Sequence, residues 1–296
     1  GLVMIAPTPY ILGVPRPRAL KETSLDILKG HGLEPSLMSL AFTKNGQARR
    51  LLGTSSKVEK GQAKGWLTKV MYFQPHLRTG YNVCGNATPA CSAGCLIQNG
   101  NFLYPRVQKG TFAKTFLWLL HPQYFLERVV MEILQFSLEA TMSNKHGAVR
   151  LNGTSDIKWY LYIDFAKLAN DTGLRFYDYT KNPIDYRIPH PSAYSFTYSL
   201  SEHPKSWERA IEWLDKGYSA AMVVAANGST NRKDAKLAQQ YLVDKGEFTM
   251  FGRTFPTVHG DDDDLRMLDN QGSLVVLYAK NKALRDDTAF VTRISL

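Results

Sequence analysis

The chain has 296 residues, 44% hydrophobic and 21% charged, a mix that excludes a charge-rich disordered chain and leaves ample material for one large or two small cores. No run of about 18 apolar residues occurs, which excludes a membrane-spanning helix and predicts no membrane partner. The net charge of +10 is uneven, with 15 Lys and Arg against 4 Asp and Glu in residues 1–120 and 21 against 22 in residues 121–296, so the first part is a candidate polyanion surface or a solvated basic face.

Residues 1–20 hold Pro7, Pro9, Pro15 and Pro17 with Arg16 and Arg18 between them, and read as an extended arm rather than a core element. The opening G-L-V-M-I-A-P-T-P-Y has no basic region ahead of its apolar residues and no clear cleavage site, so it does not read as a signal peptide. Gly1 in place of methionine suggests a trimmed start, and the expected compartment is a reducing cytoplasm. Residues 21–30 suit a short helix closed by Gly30. W-L-T-K-V-M-Y-F (66–73) suits a strand that delivers the chain into a loop with three cysteines.

Two helices are expected after that loop, parted near residue 121 by Pro122. In the second, Phe125, Val129, Ile133 and Phe136 share one face, and Gly147 is expected to end it. Strand and helix then alternate. The pattern predicts a strand and exit loop over 148–156, a helix over 157–170, and strands over 175–181 and 194–200. A helix over 206–217, a strand over 219–226, a helix over 234–242 and strands over 255–261 and 273–280 complete it. The strand S-A-A-M-V-V-A-A is apolar on both faces, as in a parallel sheet covered on both sides. This alternation predicts an α/β fold with parallel strands, open or closed into a partial (β/α) barrel, over residues 66–296. Residues 1–65 would form an N-terminal basic extension.

The loop Y-N-V-C-G-N-A-T-P-A-C-S-A-G-C-L-I-Q-N (81–99) carries Cys84, Cys91 and Cys95, the whole cysteine complement of the chain, in one twelve-residue window. Packing gives cysteines no reason to cluster, and the turn formers between them point to a loop that wraps an object. Zinc would need a fourth ligand such as His76 or His121. A disulfide would leave one thiol spare in a chain whose expected compartment disfavours it. An iron–sulfur cluster held by three cysteines keeps one iron open to a small-molecule ligand, and this is the preferred reading.

In parallel α/β folds, ligands lie beyond the carboxyl ends of the strands. Arg150, Asn152 and Asp156 leave the first repeat strand; Asp178 and Lys181 leave the second. His259 and the run Asp261–Asp264 leave a later one. Arg150, Asn152, Asp156 and Asp178 are the candidate cofactor-binding residues, Lys181 and Asp261 the candidate catalytic ones. Plainer roles compete with each: Asp156 as a helix cap, Lys181 as a loop residue, His259 as a hydrogen-bonded core residue. Charges inside a strand need partners, and an Arg150–Asp178 pair is the simplest. Four adjacent aspartates suggest either a solvated loop or a cation or amine site, with Arg266 neutralising one of them.

The strings R-L-N-G-T-S-D, Y-D-Y-T-K and H-G-D-D-D-D-L-R-M-L-D, with the three-cysteine loop upstream, resemble an uncharacterised bacteriophage-encoded family over roughly residues 70–290. That resemblance implies a phage origin and a host cytoplasm, and transfers no activity. A looser likeness is to radical S-adenosylmethionine enzymes, which place three cysteines in a loop after the first strand of a partial barrel. It implies that Cys84, Cys91 and Cys95 hold a [4Fe-4S] cluster whose open iron chelates S-adenosylmethionine. The spacing departs from most of that superfamily, being C-x6-C-x3-C against C-x3-C-x2-C, and no G-G-E-like string comes after it. Two other readings compete. One is a nucleic-acid-binding protein with a structural cluster or zinc, its basic N-terminal segment using Trp66, Tyr72, Phe73 and Tyr81 among Lys64, Lys69 and Arg78. The other is a Mg-dependent phosphoryl-transfer or nuclease site on the aspartate run.

Overall fold

Pro105–Leu120 and Pro122–Met142 form the two helices expected on either side of His121, each starting on a proline whose missing N–H costs nothing at a helix start. The computed structural model describes residues 6–98 and 100–296; Gly1–Ile5, on which the signal-peptide reading falls, and Asn99 lie outside them. The chain divides into two compact units, residues 1–85 with 96–176 and residues 86–95 with 177–296.

In chain order the helices are α1 (Glu22–Gly30), α2 (Leu37–Ala41), α3 (Ser56–Glu59), α4 (Pro89–Ala93), α5 (Pro105–Leu120), α6 (Pro122–Met142), α7 (Phe165–Thr172), α8 (Ser206–Asp215) and α9 (Arg232–Lys245). The strands are β1 (Trp66–Val70), β2 (His146–Arg150), β3 (Arg175–Thr180), β4 (Tyr194–Ser199), β5 (Ser219–Ala226), β6 (Glu247–Met250), β7 (Arg253–His259), β8 (Leu274–Tyr278) and β9 (Val291–Ile294).

In the first unit β2 lies between β1 and the start of β3, all parallel, with Trp66 opposite His146 and Ala148 opposite Arg175. The apolar face of α6 buries Phe125, Val129, Ile133 and Phe136, as its periodicity predicts. Phe125 stacks on Trp159 with ring centres 5.6 Å apart, and Phe73 and Trp118 close around the pair. Gly147 does not end α6. Asn144, in the left-handed region at φ 51°, turns the chain there, and Gly147 lies in β2. A Cβ on Gly147 would strike Leu174, Ala140 and Phe136, so the glycine lets α6 approach the strand. The helix expected over 157–170 shrinks to a single turn at Trp159–Leu161 and then α7, capped by Asp164, whose carboxylate accepts from the Lys167 N–H. The arm forms no helix or strand from Leu12 to Leu20 but is not detached: Tyr10 is 2% exposed and its hydroxyl donates to Asp171 at 2.8 Å.

In the second unit β4, β5, β8 and β7 run parallel in that order, and β6 pairs antiparallel with β7 as an edge hairpin. β5 forms over the residues expected and is buried along nearly its whole length. It pairs with β4 through Ser219–Ala221 and, further along, with β9 through Val223–Ala226. Neither β6 nor β9 was expected. Both units are thus mixed α/β with mostly parallel sheets, and no pairing among the described strands closes either sheet.

Candidate functional site

The cysteine loop is shared out. Cys84 belongs to the first unit, where it comes after the carboxyl ends of β1 and β2. It is 8% exposed; its sulfur accepts the His76 N–H at 3.5 Å and its thiol donates to the Thr154 carbonyl at 3.7 Å. Cys91 and Cys95 belong to the second unit, on and just after α4, both half-buried. There the segment is tied to the carboxyl ends of β3 and β4. Asn86 Nδ2 donates to Asn182 Oδ1 at 2.6 Å, Thr88 Oγ1 donates to Glu202 at 2.8 Å, and the Ala90 N–H donates to the same carboxylate at 3.0 Å. Thr88 also caps α4 by accepting the Cys91 N–H. Glu202 therefore serves the free amides at the start of α4, where negative charge is favoured.

None of the three cysteines is paired in a disulfide. His121, one of the two suggested zinc ligands, donates its Nε2 proton to the Pro35 carbonyl at 2.9 Å. The described residues bring no three His, Cys, Asp or Glu side chains together as a metal-ligand set.

In the first unit Asn152 is consumed by its own turn: Oδ1 accepts from Ile157 N, Ser155 Oγ and Trp159 Nε1, and Nδ2 donates to the Ile157 carbonyl. Arg150 ends β2, where its carbonyl accepts the Met71 N–H. The Asp156 N–H donates to the Val83 carbonyl beside Cys84, and no helix starts at Asp156 for it to cap.

In the second unit Asp178 is fully buried and accepts from the Tyr194 hydroxyl. Lys181 lies with Nζ 5.8 Å from the centre of the Phe290 ring. The aspartate run is neither a solvated loop nor one acidic patch. Asp261 accepts from Gln239, the Tyr278 N–H and Lys280. Asp263 accepts the Leu265 N–H and pairs with Arg266 at 3.2 Å, and Asp264 accepts from Tyr177. Only Asp262 stays in solvent, 3.4 Å from His259 Nδ1. Burial opposes the charge on Arg266, but Tyr179, Asp269, Asp263 and Asp264 hold its pKa above the ordinary value. His259 behaves as the hydrogen-bonded residue that the plainer reading foresees, its Nδ1 accepting the Asp261 N–H.

Residues that sequence reasoning missed are Asn182, Glu202 and Tyr278. The first two had only a weak signal, polar residues directly after a strand. Tyr278 has Arg232 donating to its hydroxyl at 2.9 Å and Lys236 and Lys280 over its ring. Burial pushes the phenol pKa up, and the Arg232 bond and Lys280 charge outweigh that and leave it lowered. Of the aromatics suggested for stacking on single strands, Phe73 is fully buried, Trp66 packs on His146, Tyr72 on Phe102, and Tyr81 lies under Lys21.

Fold and site together define an α/β protein with mostly parallel sheets and a cysteine-bearing loop whose segments lie past the carboxyl ends of strands. The chain matches the model of the Gene product 88 family over residues 41–294, and it belongs to that phage-type family. The match begins at residue 41 rather than near 70, so it takes in residues 41–65 of the basic extension and leaves residues 1–40 outside it. Comparison with curated proteins and with solved structures finds no match.

Proposed function

We propose that this phage-type protein binds a [4Fe-4S] cluster through Cys84, Cys91 and Cys95, with one iron left for a small-molecule ligand. The observation that carries the reading is the confinement of every cysteine, none in a disulfide, to twelve residues that lead off the carboxyl ends of parallel strands. The described residues do not present a finished ligand set, so binding would gather the sulfurs. Metal binding and ordering of a loop are then one equilibrium. A cluster of this kind supplies an electron and an open coordination position. Arg150 would hold a carboxylate or phosphate of the ligand, and Lys181 a further anionic group. Asp261, already held by three donors, would act by fixing Lys280 rather than by meeting the ligand. S-adenosylmethionine as that ligand, and a partial barrel as the finer architecture, are the specific forms this proposal takes.

Protein expressed and purified without oxygen should be brown and contain iron and acid-labile sulfide. Cys91→Ala should abolish the visible absorbance. Colourless protein without iron or sulfide, or zinc bound in their place, would end the proposal.

A further inference from the structure

Beside Cys84 the first unit holds a cavity of about 120 Å³, lined in part by Arg16, Arg18, Asn82, Trp118 and Tyr162. The arm that carries the arginines is strapped down by its backbone, the Leu12 N–H donating to Tyr162 O at 2.9 Å and the Arg18 N–H to Leu119 O at 2.8 Å. Arg16 and Arg18 both line the cavity, and the bonds that hold the arm there are backbone ones. Among the described residues no acidic side chain lines the cavity, and neither arginine has an ion-pair partner. Trp118 and Tyr162, with ring centres 5.2 Å apart, form an aromatic wall. Asn82 spends its Oδ1 on the Cys84 N–H at 2.9 Å, which leaves its NH₂ as a donor.

We propose that this cavity binds a phosphorylated pyrimidine nucleoside, either free or at the end of a single strand. The cavity is open on one side and, at about 120 Å³, somewhat smaller than the roughly 150 Å³ that encloses one benzene, so a single six-membered ring fills it best, with the ribose and phosphate outside at its mouth. The ring packs on Trp118 and Tyr162, as bases do on aromatic side chains. A pyrimidine carbonyl accepts from the Asn82 amide. The phosphate meets two guanidinium groups, whose paired donors match its oxygens. The inference does not rest on the cluster, since the side chains named bind no metal and the cavity is complete without iron.

The experiment is titration calorimetry of the full chain, iron-free and iron-loaded, with uridine 5′-monophosphate, uridine, inorganic phosphate and a 5′-phosphorylated oligothymidylate. Uridine monophosphate is expected to bind at least about tenfold more tightly than uridine or phosphate, with affinity falling as salt rises. Arg16→Ala with Arg18→Ala, both on the exposed arm, should weaken it at least about tenfold and flatten the salt dependence. Tyr162→Leu should weaken binding and leave the salt dependence intact, and if that variant unfolds, the arginine pair still decides. Competition by the oligonucleotide identifies a strand end as the ligand; failure to compete identifies the free nucleotide. The proposal is overturned by no binding at millimolar nucleotide, by phosphate alone binding as well, or by a folded arginine variant with unchanged affinity.

Discussion

Glu132, only 8% exposed, fastens the chain between α2 and α3 to α6. Its carboxylate accepts the Leu51 N–H at 3.1 Å to each oxygen and the Leu52 N–H at 3.3 Å, and it pairs with Arg128 Nε at 3.2 Å. It is also the charge that offsets the burial of Lys114. In Glu132→Ala two backbone donors lose their acceptor and two cations lose their counter-charge. An unpaired buried donor costs about 1–3 kcal/mol and breaking a buried ion pair about 3–5 kcal/mol. Because one carboxylate serves all of these groups the terms overlap, and the expected loss is about 3–5 kcal/mol, not their sum. Glu132→Gln keeps one carbonyl acceptor and should lose roughly half as much. Urea unfolding monitored by tryptophan fluorescence measures this, as a lower midpoint at an unchanged slope. Adding Lys114→Met to Glu132→Ala should restore part of the stability, because the uncompensated ammonium is then gone. A single-variant loss below about 1 kcal/mol, or strict additivity of the two changes, would show that the carboxylate does not anchor this segment.

Lys114 also makes stability depend on pH. Burial lowers its pKa from the ordinary 10.5 to about 8, with Glu132 pulling the other way. Between those values the unfolded chain binds more protons than the folded one, so stability rises with pH across that window and falls as pH drops through 8. The full effect is about 3 kcal/mol, and urea midpoints at about pH 7.5 and 9.5 should differ for the natural chain but far less for Lys114→Met; equal slopes in both would count against a buried amine. Gly153→Ala should destabilise by about 1–3 kcal/mol through overpacking. Its Cβ would sit 2.6 Å from Tyr72 Cδ1 and 2.7 Å from Met71 O, a carbonyl that Gly153 itself holds by its N–H. An unchanged melting temperature would contradict that packing.

Strand β5 and the inner face of α6 were legible because each carries an uninterrupted apolar pattern that burial then satisfies. Local pattern failed where a distant or unusual partner decided. The apolar run W-Y-L-Y-I reads as helix, but the Asn152 side chain takes the Ile157 N–H and the Trp159 indole and coils the chain into a turn. The β6–β7 hairpin turns at Phe251, at φ 51°, ahead of Gly252, and a phenylalanine in that position gives no turn signal. The aspartate run looked uniform because its partners are remote: Asp264 meets Tyr177, 87 residues away, and Asp261 meets Gln239 and Lys280. The spacing of the cysteines was plain, and their division between two units was not. The side chain that seats α4, Glu202, lies 112 residues beyond Ala90.

Neither unit is one continuous stretch of polypeptide, because residues 86–95 fold with residues 177–296. A gene fragment stopping at Phe176 would keep the decapeptide and both of its thiols yet lack Asn182 and Glu202, the side chains that seat it. A fragment starting at Tyr177 would keep those seats with nothing to fill them. Expression in halves therefore separates Cys91 and Cys95 from their moorings, and co-expression of the two pieces is the form in which a split protein would have to be made.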